Sequence, residues 1–464
     1  MELLGQPPGY GVVGAGINTA IGNYCRIDVD VAEAPGWART YNSRGDGGWT
    51  HTWATALLVR GNGDVALRSG DGRVLTFIRD GDGFHRPADL AADLIAVDGG
   101  YRLEFADGGV STFDSLGRYL RHTEVGDRTD LAYDEQGRLS SVTHSTGRRI
   151  DVAYDAEGRA SGVRTADGRA VAYGYAADGA LVQVASFDGA VTSYEYEGGW
   201  LARVADPDGR TLVANAYDDI GRVVRQTNAD GETIEVSYDD AGTTTVVVAG
   251  GPAGARMVFR HDAAGHVVGF TDPAGADSST EFDEQGRLVG GTTAGGTRVT
   301  VGYDERGNVA DVSWGQATTR YAYDDRNRLA AQTDPLGGRT TFEYGTDSRR
   351  PTAVTDPLGN RTRYDVSDGL ITRVVDPTGS STEYAYDQRR NLTAVTDPEG
   401  HVWRHHYDDA GRRVETVTPA GDRTRYEHDR PGGSWRSPTR ATAPAGSATP
   451  RPGCSWRAPR PAGR

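Results

Sequence analysis

Short stretches of alternating apolar and polar residues recur along most of this chain. The clearest examples are Ile150, Val152 and Tyr154; Ile234, Val236 and Tyr238; and Thr382, Tyr384 and Tyr386. A period of two is that of a β-strand with one buried face and one solvated face. The pattern therefore predicts an all-β chain built from short strands.

An aromatic residue, often followed by Asp, returns at intervals of 19 to 23 residues. The sixteen positions in this register are Phe113, Tyr133, Tyr154, Tyr175, Tyr196, Tyr217, Tyr238, Phe259, Phe282, Tyr303, Tyr323, Tyr344, Tyr364, Tyr386, Tyr407 and Tyr426. Each interval accommodates a pair of short strands, and an isolated pair is only marginally stable in water. Neighbouring units must therefore cover one another, which predicts a stacked array of about 32 strands over residues 111–429.

Two kinds of turn separate the predicted strands. One follows the aromatic residue and reads Asp-x-x-Gly, as at Gly137 and Gly158. The other lies in mid-unit and reads Asp-Pro-x-Gly at Asp206, Asp272, Asp334, Asp356, Asp376 and Asp397, and Asp-Gly at Asp167, Asp188 and Asp230. Proline presets φ, Asp bonds to its own backbone and Gly adopts a positive φ. Since Asp-Pro-x-Gly occurs in consecutive units, the unit has two strands, which favours a winding antiparallel sheet over a four-stranded propeller blade.

The repeats resemble the YD repeats of RHS repeat proteins. The likeness is carried by YDERGNVADV, YDDRNRLAAQTDPLGGRTTFEY and YDQRRNLTAVTDPEG and spans roughly residues 113–429. That family includes bacterial polymorphic toxins, insecticidal toxin complexes and the animal teneurins. The resemblance implies a partial hollow β-shell, which in the bacterial members encapsulates a carboxy-terminal toxin.

Residues 1–110 are predicted to form a β-rich domain that precedes the repeats. The segment from Arg39 to Phe77 is similar to the domain found at this place in bacterial RHS proteins. That likeness rests on Tyr41, Asn42, Ser43, Arg44, Gly48, Trp49, Thr50 and His51. Strands are predicted over 57–60, 65–68, 74–78 and 101–105, separated by Gly-Asp turns. We expect the domain to cap the open first turn of the sheet, because exposed sheet edges promote aggregation.

The composition changes after Asp429. The last 35 residues contain seven Arg, seven Pro and no acidic residue, which is typical of a disordered tail. Ser434-Trp435-Arg436 and Ser455-Trp456-Arg457 are 21 residues apart, and this is the interval of the repeat. We therefore expect residues 430–464 to be an out-of-frame translation and the chain to be a truncated fragment.

Charge and composition exclude several classes of protein. The 464 residues carry 50 basic residues, all of them Arg, and 65 acidic residues, for a net charge of −15 that disfavours a nucleic-acid partner. No apolar run is long enough to span a membrane, and no secretory signal is readable at the amino terminus. Cys25 and Cys454 are too few for a disulfide framework or a four-Cys zinc site.

Candidate reactive groups are few. His401, His405 and His406 are far apart along one strand face or lie on opposite faces, so no metal site is expected. Asp334 and Asp356 resemble the autoproteolytic pair of some RHS proteins, but a repeat with a frequent Asp-Pro-x-Gly turn produces such spacing by itself. Calcium requires about six to eight oxygen ligands, and a single turn such as that at Asp206 is not expected to supply them. The sequence therefore predicts no catalytic residue, no cofactor-binding residue, no metal ligand and no cofactor.

The sequence predicts a non-enzymatic structural segment of a shell. By the resemblance, the intact form encapsulates and delivers a toxin in bacterial competition or host interaction, and is secreted or at the cell surface. Its partners would be the toxin domain or the remainder of the shell, and a secretion apparatus or a surface glycan. The alternative is a cell-surface carbohydrate-binding or adhesion module. A shell should carry its aromatic residues on a concave inner face, whereas a carbohydrate-binding array should expose them outward.

Overall fold

The structure, a computed structural model, describes residues 11–45, 48–87, 90–106, 108–124, 126–248, 256–346, 350–408 and 411–427. Every regular element in these ranges is a β-strand, as the alternating pattern predicts. The described part of the chain contains no helix with the length and hydrophobicity that crossing a membrane requires. The chain divides into two units, Met1–His428 and Asp429–Arg464. The second unit, with the tail predicted to be out of frame, lies outside the described residues.

The amino-terminal region contains nine strands in three small antiparallel arrangements. They are β1 (Val12–Val13), β2 (Ile17–Asn18), β3 (Cys25–Val31), β4 (Trp37–Asn42), β5 (Gly48–His51), β6 (Ala56–Val59), β7 (Val65–Arg68), β8 (Val74–Asp80) and β9 (Gly83–His85). β1 pairs with β2, β3 to β5 form one sheet, and β6 to β9 form another. The strands predicted over 57–60, 65–68 and 74–78 are confirmed.

All remaining strands form one antiparallel sheet of 33 strands, in which each strand pairs only with its neighbours in sequence. The first half comprises β10 (Ala92–Val97), β11 (Gly100–Phe105), β12 (Val110–Asp114), β13 (Tyr119–Glu124), β14 (Asp127–Tyr133), β15 (Leu139–His144), β16 (Arg149–Tyr154), β17 (Ala160–Thr165), β18 (Ala170–Tyr175), β19 (Leu181–Ala185), β20 (Val191–Glu197), β21 (Trp200–Ala205), β22 (Thr211–Tyr217), β23 (Val223–Asn228), β24 (Thr233–Tyr238) and β25 (Thr243–Val248). The second half comprises β26 (Arg256–His261), β27 (Val267–Thr271), β28 (Asp277–Phe282), β29 (Leu288–Thr292), β30 (Arg298–Tyr303), β31 (Val309–Trp314), β32 (Ala317–Tyr323), β33 (Leu329–Thr333), β34 (Arg339–Tyr344), β35 (Pro351–Thr355), β36 (Arg361–Ser367), β37 (Leu370–Val375), β38 (Ser381–Tyr386), β39 (Leu392–Thr396), β40 (Val402–Tyr407), β41 (Arg413–Val417) and β42 (Arg423–Arg425). The winding sheet of two-strand units is thereby confirmed. The sheet is unclosed, since β10 and β42 are its two end strands.

The long sheet begins earlier than the repeats do in sequence. β10 and β11 precede residue 111 and carry no Tyr-Asp signal, yet they are its first two strands. β11 also confirms the strand predicted over 101–105. The division into domains at residue 110 stays a prediction, while the sheet itself starts at Ala92.

A β-bulge fixes the register of most units. The pairing shifts immediately before the aromatic residue, for example between Ala132 and Tyr133 and between Ala153 and Tyr154. The Asp-x-x-Gly turn follows at once, and Gly137 and Gly158 adopt φ values of 77° and 80°. A side chain with a Cβ rarely adopts this conformation, which explains the glycine at this point of the unit.

Three of the sixteen predicted aromatic positions are wrong by two residues. The bulge of β26 lies between Arg260 and His261, so His261 and not Phe259 holds the aromatic position. The bulge of β36 lies between Asp365 and Val366, so Val366 holds it and Tyr364 is two residues early. Tyr426 follows Arg425, which pairs as Arg404 does in the preceding unit, so Tyr426 corresponds to His405.

The reason for these errors is that residues two apart in a strand share a face. The alternating pattern is identical for an aromatic residue at the bulge and for one placed two residues before it. Only the bulge and the turn that follows distinguish the two positions, and neither changes the hydrophobic period.

The core lies between the amino-terminal strands and one face of the long sheet. Trp37 and Tyr41 are buried in a single apolar cluster with Val204, Val213 and Val223 of the sheet. The amino-terminal region thus covers a face of the sheet, while its predicted capping of the open first turn stays a prediction. We call this face the inner face and the opposite one the outer face.

Candidate functional surface

The outer face of the sheet is charged. Arg and Glu side chains pair along and across neighbouring strands, with separations of 2.5 Å for Arg203 and Glu195, 2.9 Å for Arg225 and Glu235, and 4.0 Å for Arg373 and Glu383. These side chains are largely exposed, so each pair contributes at most about 1 kcal/mol to stability. This face is a solvated surface.

The aromatic residue of each unit anchors the sheet through its hydroxyl. In eleven described units the tyrosine donates a hydrogen bond of 2.7 to 3.0 Å to a carbonyl oxygen of the preceding unit. The tyrosines are Tyr133, Tyr154, Tyr175, Tyr196, Tyr217, Tyr238, Tyr303, Tyr323, Tyr344, Tyr386 and Tyr407. A buried phenol needs such a partner, and these bonds join each unit to the one before it.

The Asp of the Tyr-Asp pair organises the turn and places an arginine. One carboxylate oxygen of Asp155 accepts hydrogen bonds from the backbone of Glu157 and Arg159, and the other accepts one from the Arg159 side chain. The guanidinium of Arg159 then lies 4.6 Å from the ring centre of Tyr175 in the next unit. We call this arrangement, an Asp-held arginine on the following aromatic ring, the arginine clamp.

Arg39 is one of the polar residues through which the amino-terminal region contacts the inner face, and it donates to the hydroxyl of Tyr194 at 3.2 Å. Its side chain, 6% exposed, donates to Asp30 at 2.7 Å and lies over the ring of Trp49 at 4.8 Å. Tyr173 of the sheet donates to Asp30 at 2.7 Å, and Tyr194 donates to Asp28 at 2.8 Å. Burial, together with the charge of Asp30, raises the pKa of Tyr173. These residues form a desolvated network that joins the amino-terminal region to β18 and β20.

The part of the amino-terminal region that carries the family resemblance, within residues 41–51, contacts the sheet. Tyr41 accepts a hydrogen bond from the backbone of Leu201 at 2.9 Å, and Ser43 donates to the carbonyl of Gly221 at 3.0 Å. Trp49 donates to the hydroxyl of Tyr196 at 2.8 Å. Sequence reasoning singled out these residues through a resemblance, and the structure assigns them a docking role.

His51 lies behind this contact. Its ring stacks on Trp37 at 4.4 Å, and its Nδ1 accepts a hydrogen bond from the Trp53 backbone at 3.2 Å. Burial lowers the pKa of His51 to about 4. The imidazole is therefore neutral at physiological pH.

The inner face has no such cover farther along the sheet. Its aromatic residues between β32 and β40 are partly exposed, and no described residue of the amino-terminal region packs on them. They include Tyr321, Phe342, Tyr364, Tyr384 and Trp403. We call this the open inner face, an apolar surface on which no described residue of the amino-terminal region packs.

Late units return to contact early ones at a seam. Arg390 donates to the carbonyl of Gly126, 264 residues away, and lies 3.4 Å from Asp127. Arg148 donates to Asn391 at 3.2 Å. Arg390 occupies the position of the turn glycine with a φ of 63°, a strained conformation for a residue with a Cβ. The turn between β38 and β39 therefore lies against the turns that flank β14 and β15.

The Asp and His residues considered as candidate reactive groups form local hydrogen bonds and ion pairs. Asp334, Asp356 and Asp206 each accept backbone hydrogen bonds within their own turn. Asp397 does the same and also contacts His401 at 2.9 Å. His405 bonds Thr416, while His406 lies 3.9 Å from Glu415.

Asp397, Glu399 and His401 bring three possible ligand atoms within 4.8 Å of one another on an exposed turn. The Asp397 carboxylate already accepts hydrogen bonds within its own turn. The expectation of no metal site is not tested by this arrangement and stays a prediction. So does the expectation of no catalytic residue and no cofactor-binding residue.

Comparison with known proteins gives one broad match. Residues 105–251 and 255–436 match the family model described as teneurin YD-shell, and residues 14–77 match one described as a domain of unknown function. No curated protein matches the chain.

Two solved structures illustrate the likeness. The crystal structure of TcdB2-TccC3 without its hypervariable C-terminal region is 14% identical, with a TM-score of 0.43 over 82% of this chain and 26% of that one. The Photorhabdus luminescens Tc holotoxin pore with the TccC3-D651A mutation is 12% identical, with a TM-score of 0.44 over 88% of this chain and 29% of that one. The chain thus spans less than a third of the length of these structures.

Proposed function

The chain belongs to the teneurin YD-shell family of RHS and YD-repeat proteins, a family of structural shells, and from this membership we propose that its sheet is a wall segment enclosing a protein cargo. The open inner face carries the proposal. A row of partly exposed aromatic residues without cover is typical of a contact surface, and this row lies on the side opposite the charged outer face. In the assembled form the cargo is a toxin, the shell is secreted or displayed at the cell surface through a secretion apparatus, and the wall itself catalyses nothing.

A cell-surface carbohydrate-binding role is the weaker alternative. Such an array would present its aromatic residues outward, whereas here the tyrosine ladder shares the face that the amino-terminal region covers. Trp314, 59% exposed, is the main outlying aromatic among the described residues. The placement of the aromatic residues supports the shell over the adhesion module.

Reagents of different size test the enclosure. Tyr364→Cys places a thiol on the open inner face, and Arg363→Cys places one on the adjacent outer position, both in a Cys454→Ser background that keeps the buried Cys25. Maleimide and a 5 kDa polyethylene-glycol maleimide (a reagent of about protein-domain size) are compared in the assembled protein. We expect the small reagent to label both thiols at similar rates. The large reagent should label Tyr364→Cys at least tenfold more slowly than Arg363→Cys. Equal labelling by the large reagent would overturn the proposal.

A further inference from the structure

The position four residues after the turn Asp packs on the aromatic ring of the next unit. In six described units it is the arginine of the clamp, 4.4 to 5.2 Å from the ring centre. These pairs are Arg118 on Tyr133, Arg138 on Tyr154, Arg159 on Tyr175, Arg222 on Tyr238, Arg287 on Tyr303 and Arg328 on Tyr344. His266 stacks on Phe282 in the same manner, and Trp200 lies 5.8 Å from Tyr217. The position is thus a slot for a flat, often cationic group.

One unit leaves this slot empty. The turn after Tyr175 reads Ala176-Ala177-Asp178-Gly179-Ala180, so both the Asp and the Arg of the clamp are alanines. The methyl group of Ala180 is too short to reach the ring of Tyr196. The other described units without a ring or an arginine here hold Thr243, Asn308, Leu370 or Asn391, all of which are longer.

A cavity of about 890 Å³ opens at this place. Tyr196, Trp200 and Trp49 contribute aromatic surface to its wall, and Asp178 contributes a carboxylate. The mouth lies at Asp178 and at the short Gly198–Gly199 turn, which are exposed. The cavity exceeds the volume of one side chain, so a ligand has room to enter with its flanking backbone.

The charges around the cavity favour a cation at its mouth. Arg39 is neutralised by Asp30, and Arg159 by Asp155 and Glu157. Asp178 accepts one backbone hydrogen bond, from Ala180 at 3.0 Å, and forms no ion pair among the described residues. Among the described residues that line the cavity, the acidic group without an ion-pair partner is therefore Asp178, on the unit that leaves the Tyr196 ring uncovered.

We infer that this cavity binds an arginine side chain presented by a partner polypeptide, with the guanidinium stacked on Tyr196 and paired with Asp178. The neighbouring units are the template, because the same fold places its own guanidinium on the equivalent ring six times. A planar guanidinium stacks flat on a ring while its edge makes two parallel hydrogen bonds to a carboxylate, whereas an ammonium has no planar fork and a neutral sugar has no charge. The inference does not depend on cargo enclosure.

Calorimetric titration with a short peptide tests the inference. The probe is acetyl-Gly-Arg-Gly-amide, and the matched peptides replace Arg with citrulline, which has the same shape without the charge, or with Lys. The unaltered protein should bind the Arg peptide saturably and the citrulline peptide at least tenfold more weakly. Ala180→Arg, which restores the clamp arginine from within, should weaken binding at least tenfold. Asn308→Arg restores the same consensus in a unit without this cavity and should leave binding unchanged.

Three results with the peptides would overturn the inference. They are the absence of saturable binding of the Arg peptide, equal binding by Ala180→Arg, and equal affinity for the citrulline peptide. Binding of a neutral oligosaccharide such as chitotriose in place of the peptide would assign the cavity to carbohydrate and reject the arginine. A melting temperature of Ala180→Arg at or above that of the unaltered protein shows that lost binding is not lost folding.

Discussion

The covered and open stretches of the inner face use the same repeat but differ in burial. Tyr194 pairs with Val204 under the amino-terminal region, and the two are 3% and 0% exposed. Tyr364 and Val374 form the identical pair on the open inner face and are both partly exposed. The repeat thus sets strand, turn and register, while burial is decided by a second surface. The open inner face thus has the same side chains as the covered stretch without the cover, and the proposed cargo contact rests on this difference.

The cover of the first stretch is not only hydrophobic. Arg39, Asp28 and Asp30 enter the interface as charges and are compensated there by one another and by two tyrosines. A desolvated ion pair adds little net stability but makes a mismatched interface very costly. The network therefore fixes the strands on which the amino-terminal region docks, and the apolar residues supply the driving force.

Removing one charge of this network should give the largest effect. Asp30→Ala leaves Arg39 buried without its bidentate partner, and we expect a loss of about 3 to 5 kcal/mol in the free energy of unfolding. Urea unfolding followed by tryptophan fluorescence measures it. Glu383→Ala is the matched control, because its pair with Arg373 is exposed on the outer face and is worth less than about 1 kcal/mol. Equal losses would show that the amino-terminal region does not desolvate Arg39.

Acid should loosen the covered stretch through His51. Its pKa is about 4 in the folded protein and 6.5 in an exposed chain. The unfolded state therefore binds the proton first, so stability is complete above pH 6.5 and falls as the pH drops toward 4. The slope is at most about 1.4 kcal/mol per pH unit. His51→Gln keeps a hydrogen-bond acceptor without a titrating ring and should flatten the stability profile between pH 6.5 and 4. An unchanged slope in this variant would contradict the assignment.

The sequence predicted the local features of the fold because each has a local cause. Period-two alternation, Asp-x-x-Gly turns and the 21-residue interval determine strands and turns, and they predict about 32 strands over residues 111–429, where the structure has the 31 strands β12 to β42. The register errors at Phe259 and Tyr364 arose where a bulge, which leaves no hydrophobic signal, sets the position, and the error at Tyr426 is visible only in the strand pairing. The role of Arg39 was missed for a different reason: its partners in the sheet are far away in the chain.

The empty slot at Ala180 was within reach of the sequence. Comparing turn with turn shows Asp-x-x-Gly-Arg replaced by Ala176-Ala177-Asp178-Gly179-Ala180. The sequence pattern does not show that the turn arginine packs on the aromatic ring of the next unit; only the structure does. The replacement therefore looked like ordinary variation of an exposed turn.

Truncating equivalent valines measures the cover directly. Val204→Ala removes two methyl groups from a site with 0% exposure, and we expect a loss of about 2 kcal/mol in the free energy of unfolding. Val374→Ala removes the same atoms from the open inner face and should cost less than about 1 kcal/mol, since its side chain already meets solvent. Urea unfolding of the two variants makes the comparison. If Val374→Ala proved as costly as Val204→Ala in the assembled protein, the open inner face would be occupied there.

The seam between late and early units should show the smallest effect. Arg390→Gly and Arg390→Ala both remove the contacts with Gly126 and Asp127. Only glycine relieves the strain of a φ of 63°, so the alanine variant should be about 1 kcal/mol less stable than the glycine variant. Both should speed hydrogen exchange in β14, the early strand beside the contact. Asn327→Gly relieves the same strain at the same turn position, φ 57°, and should leave exchange in β14 unchanged. Unaltered hydrogen exchange of β14 in both Arg390 variants would mean that the contacts of Arg390 with Gly126 and Asp127 do not stabilise this strand.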